Sequence, residues 1–192
     1  METEEIKHKA IRGIFALTSR TVLLQVFNGA ALFLLGIFLS PSAIGVFIVV
    51  SAVIRIFNLF TDVGLGAALI QKKEELDFDD LKVAFTIQEI LVVSIIIIGL
   101  LLSPFIASHA RLDTDGVFLY QMLLVVLFIS SLKVIPSILL ERKLAFEKQI
   151  FPQIIEAIVF DVLVVFLAYK GFGLKSYSWS IFVSALAGLP VY

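Results

Sequence analysis

Residues 21–54 read TVLLQVFNGAALFLLGIFLSPSAIGVFIVVSAVI, thirty-four positions without a charged side chain. A bilayer core about 30 Å thick takes about 20 helical residues. The run is too long for one span and fits two. The break reads at Ser40-Pro41-Ser42. Ser40 suits a helix N-cap and Pro41 suits a first helical position, where its missing N–H costs nothing. The stretch therefore predicts spans at about residues 14–39 and 42–65, joined as a tight antiparallel hairpin.

The whole chain agrees with this reading. Of its 192 residues, 60% are hydrophobic and 16% are charged, against about 45–50% and about 25% in soluble domains. A soluble enzyme of this length could not hide so much apolar surface. Disorder is excluded by the same numbers, and a disulfide scaffold by the absence of Cys. A net charge of −1 offers no field for nucleic acid, so the partner is bilayer lipid. Met1–Arg20 is charged and lacks the layout of a cleavable signal peptide.

Further spans are expected at about residues 83–102, 117–139, 152–169 and 176–192. They are separated by the polar loop QKKEELDFDDLK (71–82), by HARLDTDG (109–116), by the amphipathic ERKLAFEKQ (141–149) and by KGFG (170–173). The third span is expected to stop at Ser103-Pro104, and the 141–149 segment to lie at the interface. The sequence thus predicts an all-α polytopic integral membrane protein with about six transmembrane helices. It stops within a charge-free run at Tyr192, and the expectation is a truncated chain, the first lobe of a longer two-lobe transporter. Lys7, Lys9, Arg12, Lys72, Lys73, Lys82, Arg142, Lys143 and Lys148 fall on one side, and only Arg111, Lys170 and Lys175 on the other. The positive-inside rule then places the N-terminus in the cytoplasm.

Seven ionisable residues fall within the expected spans: Arg20, Arg55, Asp62, Glu89, Lys133, Glu156 and Asp161. Each costs at least about 2.5–3.5 kcal/mol at a bilayer centre, so each should face the protein interior or water. At about 1.5 Å per residue, Arg55 lies about 16–20 Å from either end of its span. The others lie nearer the inner ends, and the outer halves are nearly charge-free. A hydrated cavity open to the cytoplasm and closed by an apolar outer gate is expected, one state of alternating access. Arg20, Glu89, Lys133 and Glu156 are also near enough to the interface to snorkel, Glu156 most readily. Arg55 and Asp62 share a helix face, and Asp161 either pairs with Arg20, Arg55 or Lys133 or titrates with a coupling ion.

No catalytic pattern is present. His8 and His109 both lie outside the spans, and no HExxH, GxSxG or P-loop occurs. No cofactor or metal is expected. Gly64-Leu65-Gly66-Ala67-Ala68 reads as a helix terminator.

Four local stretches carry a family resemblance. Phe38-Leu39-Ser40-Pro41-Ser42-Ala43-Ile44-Gly45 resembles an outer turn L-P-x-x-x-G, and Phe60-Thr61-Asp62-Val63-Gly64-Leu65-Gly66-Ala67-Ala68-Leu69-Ile70-Gln71 resembles F-x-D-x-G-L-x-x-A-L-I-Q. Arg142-Lys143-Leu144-Ala145-Phe146 resembles the linker R-x-L-x-F, and Gly171-Phe172-Gly173-Leu174-Lys175-Ser176 resembles G-F-G-x-W-S, with Lys175 where Trp is common. Together they resemble the N-terminal half of a Wzx-type polysaccharide flippase, of the multidrug/oligosaccharidyl-lipid/polysaccharide exporter superfamily. The resemblance implies transport of a polyprenyl-pyrophosphate-linked oligosaccharide from the inner to the outer leaflet of the plasma (inner) membrane. It also implies a lipid-linked glycan and surface-polysaccharide polymerase machinery as partners. Under it, Arg20, Arg55 and Lys133 form a cationic cavity for the pyrophosphate, since guanidinium and ammonium groups pair with phosphate oxygens. Asp62, Glu89 and Asp161 are the candidates for ion coupling. The alternative is an ion-coupled drug or cation antiporter of the same superfamily, and behind it a membrane-embedded enzyme or structural subunit.

Overall fold

A computed structural model describes the backbone of residues 2–61, 64–72, 74, 76–143 and 145–191, without the side chains of residues 2–17, 19, 20, 65, 146, 147 and 191. Asp62 and the side chain of Arg20 thus lie outside the described residues. The elements are α1 (Glu2–Phe38), α2 (Pro41–Thr61), α3 (Leu65–Gln71), α4 (Phe78–His109), α5 (Thr114–Ser131), α6 (Val134–Arg142), α7 (Phe146–Tyr169), α8 (Lys175–Gly188) and the 3₁₀ turn η1 (Leu189–Val191). No strand occurs among them. Among the described residues, five stretches are long and apolar enough to cross a membrane: Thr21–Phe38, Pro41–Thr61, Phe78–His109, Thr114–Ser131 and Lys148–Tyr169. The 14-residue α8 packs between α5 and α7. Phe33, Leu59 and Leu101 remain about three-quarters exposed on the outside of the bundle, which suits lipid rather than water. The protein is an all-α, multi-pass membrane protein.

The α1–α2 hairpin turns at Ser40, whose Oγ accepts from the Ala43 N–H at 3.2 Å. Pro41 opens α2. Elsewhere the helix ends differ from the sequence expectation, for local reasons. The second span ends at Thr61, not near residue 65, and Gly64 (φ 75°) precedes the separate helix α3. A left-handed φ is cheap only without a Cβ. The third span runs through Pro104 to His109 instead of stopping near residue 102, because Ile106, beyond the proline, packs on the core. An Asp77–Asp80 capping box starts this helix. Asp80 also takes the Lys72 ammonium at 2.6 Å, and this hydrogen bond raises the lysine above its ordinary pKa.

The fourth span is two helices, not one. It breaks at Leu132-Lys133, between α5 and α6. Pro136 explains the break: it donates no N–H to the Leu132 carbonyl, and its ring would clash with that carbonyl in a continuous helix. The 141–149 segment is not one amphipathic element. Glu141 and Arg142 end α6, and α7 begins at Phe146, six residues before the expected start of the fifth span. The Gln149 amide ties the two helices by donating to Glu141 Oε1 at 2.6 Å and Ser137 Oγ at 2.5 Å.

Small residues bring the helices close. Ser176, Ser180, Ser184 and Gly188 recur every fourth position of α8, all buried, so they form one stripe that admits α5 and α7. In α4, a Cβ at Gly99 would sit 2.9 Å from Leu124 and 3.0 Å from Phe57. Tyr120 of α5 donates to the Gly99 carbonyl across this contact at 2.8 Å.

The apolar core is weighted toward one end of the bundle. It contains Leu35 late in α1 and Leu39 just after it, Val50 and Ile54 in the middle of α2, Leu119, Tyr120, Leu123 and Leu124 in the first two-thirds of α5, Val164 and Ala168 late in α7, and Leu174 and Tyr177 at the start of α8. Successive spans alternate in direction, so all but the α2 pair lie toward the end that carries the α1–α2 turn.

Candidate functional site

Farther from that end the bundle is hollow. A cavity of about 660 Å³ is lined by Leu24 and Asn28 of α1, Phe47 of α2, Ser130 of α5, Lys133, Val134 and Ser137 at the α5–α6 break and on α6, Gln153, Glu156, Ala157 and Phe160 of α7, and Ile181 and Ser184 of α8. On α1, α5, α7 and α8 the lining residues lie farther from the α1–α2 turn than the apolar core residues of the same helix. Phe47 marks the boundary: it lines the cavity and stacks on Tyr177 of the core, ring centroids 3.9 Å apart and planes within 8°.

Lys133 is the cation in this cavity, and Glu156 is its counter-ion. It is only 8% exposed, because the helix break places it between α7 and α8. Its Nζ donates to Glu156 Oε1 at 2.8 Å and to the Ala185 carbonyl at 3.3 Å. That carbonyl is available because Leu189 turns tightly and donates to Leu186 O instead. Lys133 thus also faces the negative end of α8. Glu156 keeps 28% of its side chain exposed. A Cβ added to Gly188 would overlap its carboxylate, so the glycine makes room for the ion pair.

A second cavity, about 480 Å³, lies among α2, α3, α4 and α6. Asn58, Thr61, Gln88, Ser137 and Glu141 supply its polar lining. Val134 and Ser137 border both cavities, so α6 is the partition. A third, of about 550 Å³, lies between α1 and α7 and is almost wholly apolar, with Phe27, Phe38, Phe166 and Tyr169 in its walls and Asp161 as its one charged group.

The residues singled out from the sequence are dispersed over these features. Lys133 is in the main cavity. Arg55 is exposed on α2, lines none of these cavities, and has no ion-pair partner among the described residues. Because α2 ends at Thr61, Arg55 is about 9 Å from that end and about 21 Å from Pro41, off the centre expected for it. Both carboxylate oxygens of Glu89 are buried on α4 without a hydrogen-bond partner among the described residues. Asp161 is 5% exposed, and its Oδ2 likewise has none. Arg20 and Asp62 lie outside the described residues.

Glu156, which from its place near a span end could either snorkel or face inward, is the partner of Lys133. The signal available in the sequence was Pro136, which dictates the break that turns Lys133 inward. Among the described residues no cluster of acids and histidines suits a metal.

A family model described as polysaccharide biosynthesis protein matches residues 34–191. No curated protein and no solved structure matches the chain.

Proposed function

Because the chain belongs to the polysaccharide biosynthesis protein family, we propose that it forms one lobe of a Wzx-type membrane transporter that works by alternating access. Its cargo is a polyprenyl-pyrophosphate-linked oligosaccharide, moved from the inner to the outer leaflet of the plasma membrane, with the N-terminus cytoplasmic. The reading is supported by one observation above all: a cavity that holds a nearly buried lysine, with Asn28, Gln153 and Glu156 in its walls, opens beside the apolar core. A pyrophosphate entering this cavity meets Lys133, while its prenyl tail stays in lipid. The Phe47–Tyr177 stack separates that site from the opposite face until the lobe rearranges. Arg55 acts from the exposed face of α2, and Arg20 from α1, as further phosphate donors. Asp62, Glu89 and Asp161 serve ion coupling.

Asp161 favours a second reading, export of lipophilic cations, since it sets one carboxylate among aromatic walls. One experiment separates the two. The full-length protein is reconstituted into vesicles with a fluorescent lipid-linked oligosaccharide, and flipping is read by an impermeant quencher. Flipping by the wild type that falls at least about tenfold, the scale of one charge-assisted contact, in Lys133→Gln supports the flippase. Efflux of tetraphenylphosphonium without flipping replaces it with the exporter.

A further inference from the structure

We propose that Glu156 is an internal occupant of the anion position at Lys133, which a diphosphate headgroup must displace. This rests on the flippase reading and adds a threshold to it. A lysine ammonium has three donors. One is held by Glu156 Oε1 at 2.8 Å and one by the Ala185 carbonyl at 3.3 Å. The third is open, but the Glu156 carboxylate cancels the lysine's charge and repels a second anion. A strong phosphate contact therefore forms only when Glu156 withdraws.

The surroundings permit that withdrawal. Glu156 keeps more than a quarter of its side chain exposed, whereas Lys133 is fixed at the helix break with 9% of its side chain exposed. Glu156 accepts from Lys133 at one oxygen, and no further hydrogen bond holds it among the described residues. Gln153, one turn away on α7, lines the same cavity.

The thermodynamic consequence is a common penalty. Any anion that needs the open lysine binds with its intrinsic affinity reduced by the fraction of protein in which Glu156 has moved away. Singly charged lipids of the bilayer, abundant but weak at this site, then fail to fill it. A diphosphate, with more charge and more acceptor oxygens, still binds.

The test measures binding by the purified full-length protein in detergent. The probes are farnesyl diphosphate, farnesoic acid as a monoanion, neutral farnesol and inorganic pyrophosphate. The variants are Glu156→Gln, Glu156→Asp and Lys133→Gln. Glu156→Gln is expected to bind farnesyl diphosphate about tenfold more tightly, as for an open fraction of roughly one tenth. It should bind farnesoic acid measurably where the wild type does not, and farnesol unchanged. Glu156→Asp, whose carboxylate is withdrawn by one methylene, should fall between Glu156→Gln and the wild type, and it serves if the Gln variant does not fold. Inorganic pyrophosphate showing the same gain assigns the site to the phosphate groups alone; a gain confined to farnesyl diphosphate adds the lipid tail to the recognition. Wild type that prefers the diphosphate, with loss in Lys133→Gln but no gain in either Glu156 variant, overturns the displacement and leaves the flippase standing. Wild type that binds farnesyl diphosphate no better than farnesol overturns both.

Discussion

Gly188 and Glu156 are mutually exclusive in volume: a methyl group on the glycine would occupy the carboxylate of the glutamate. The absent side chain on α8 thus makes room for the α7 glutamate that pairs with Lys133. Gly188→Ala should force Glu156 off Lys133 or part the two helices. A destabilisation of about 1–3 kcal/mol is expected, the range of overpacking. Adding Glu156→Ala removes the clash, so the double variant should be more stable than the sum of the two single effects. Thermal unfolding in detergent reads the coupling; additive losses would show that the two residues do not compete for space.

The Lys133–Glu156 pair need not be there for stability. Nearly buried ion pairs are often replaced by apolar pairs without loss, whereas removing one partner strands a charge. Lys133→Met alone should therefore lower the unfolding midpoint, and Lys133→Met with Glu156→Leu should restore it. Flipping should stay absent in both. Restored stability with restored transport would reduce the pair to packing.

At the α4–α5 contact the effects are purely structural. Tyr120→Phe removes a buried hydrogen bond to the Gly99 carbonyl and should cost about 1 kcal/mol. Gly99→Ala should cost more, since its methyl meets Leu124 and Phe57 within about 3 Å. Unfolding midpoints order the two; a silent Gly99→Ala would mean that the helices can part at no cost.

What the sequence revealed depended on how local the cause was. The α1–α2 hairpin was legible because one cap and one proline set it, and the multi-pass class because composition alone demands it. The halving of α5–α6 is not read from the sequence although Pro136 marks it, because residues 117–139 together have the length of one span and the break takes only two of them. The site fared worse. A linear reading ranks charges by depth and brings Glu156 near the interface, while the inward turn of Lys133 comes from the α5–α6 break and the Ala185 carbonyl and the gap at Gly188 come from α8, far away in the chain.

Asp161 sets stability against function most sharply. Its carboxylate is 5% exposed, and one oxygen lacks any hydrogen bond among the described residues. Beside it lies a cavity walled by Phe27, Phe38, Phe166 and Tyr169. An ionised carboxylate in such surroundings costs several kcal/mol unless it is paired or takes up a cation or proton. Such a cost persists only where the group does something. Asp161→Asn keeps the shape and removes the charge, so the unfolding midpoint should rise, by the equivalent of about 1–2 kcal/mol. Coupled transport should be lost at the same time, with flipping no longer responding to an imposed ion gradient. Asp161→Leu should be at least as stable, since the cavity it enters is apolar. If instead both variants unfold at lower temperature, the carboxylate has a structural partner. If both are more stable and still respond to the gradient, the coupling ion binds elsewhere, and Glu89, the other carboxylate with buried oxygens that no described residue satisfies, is the next to change.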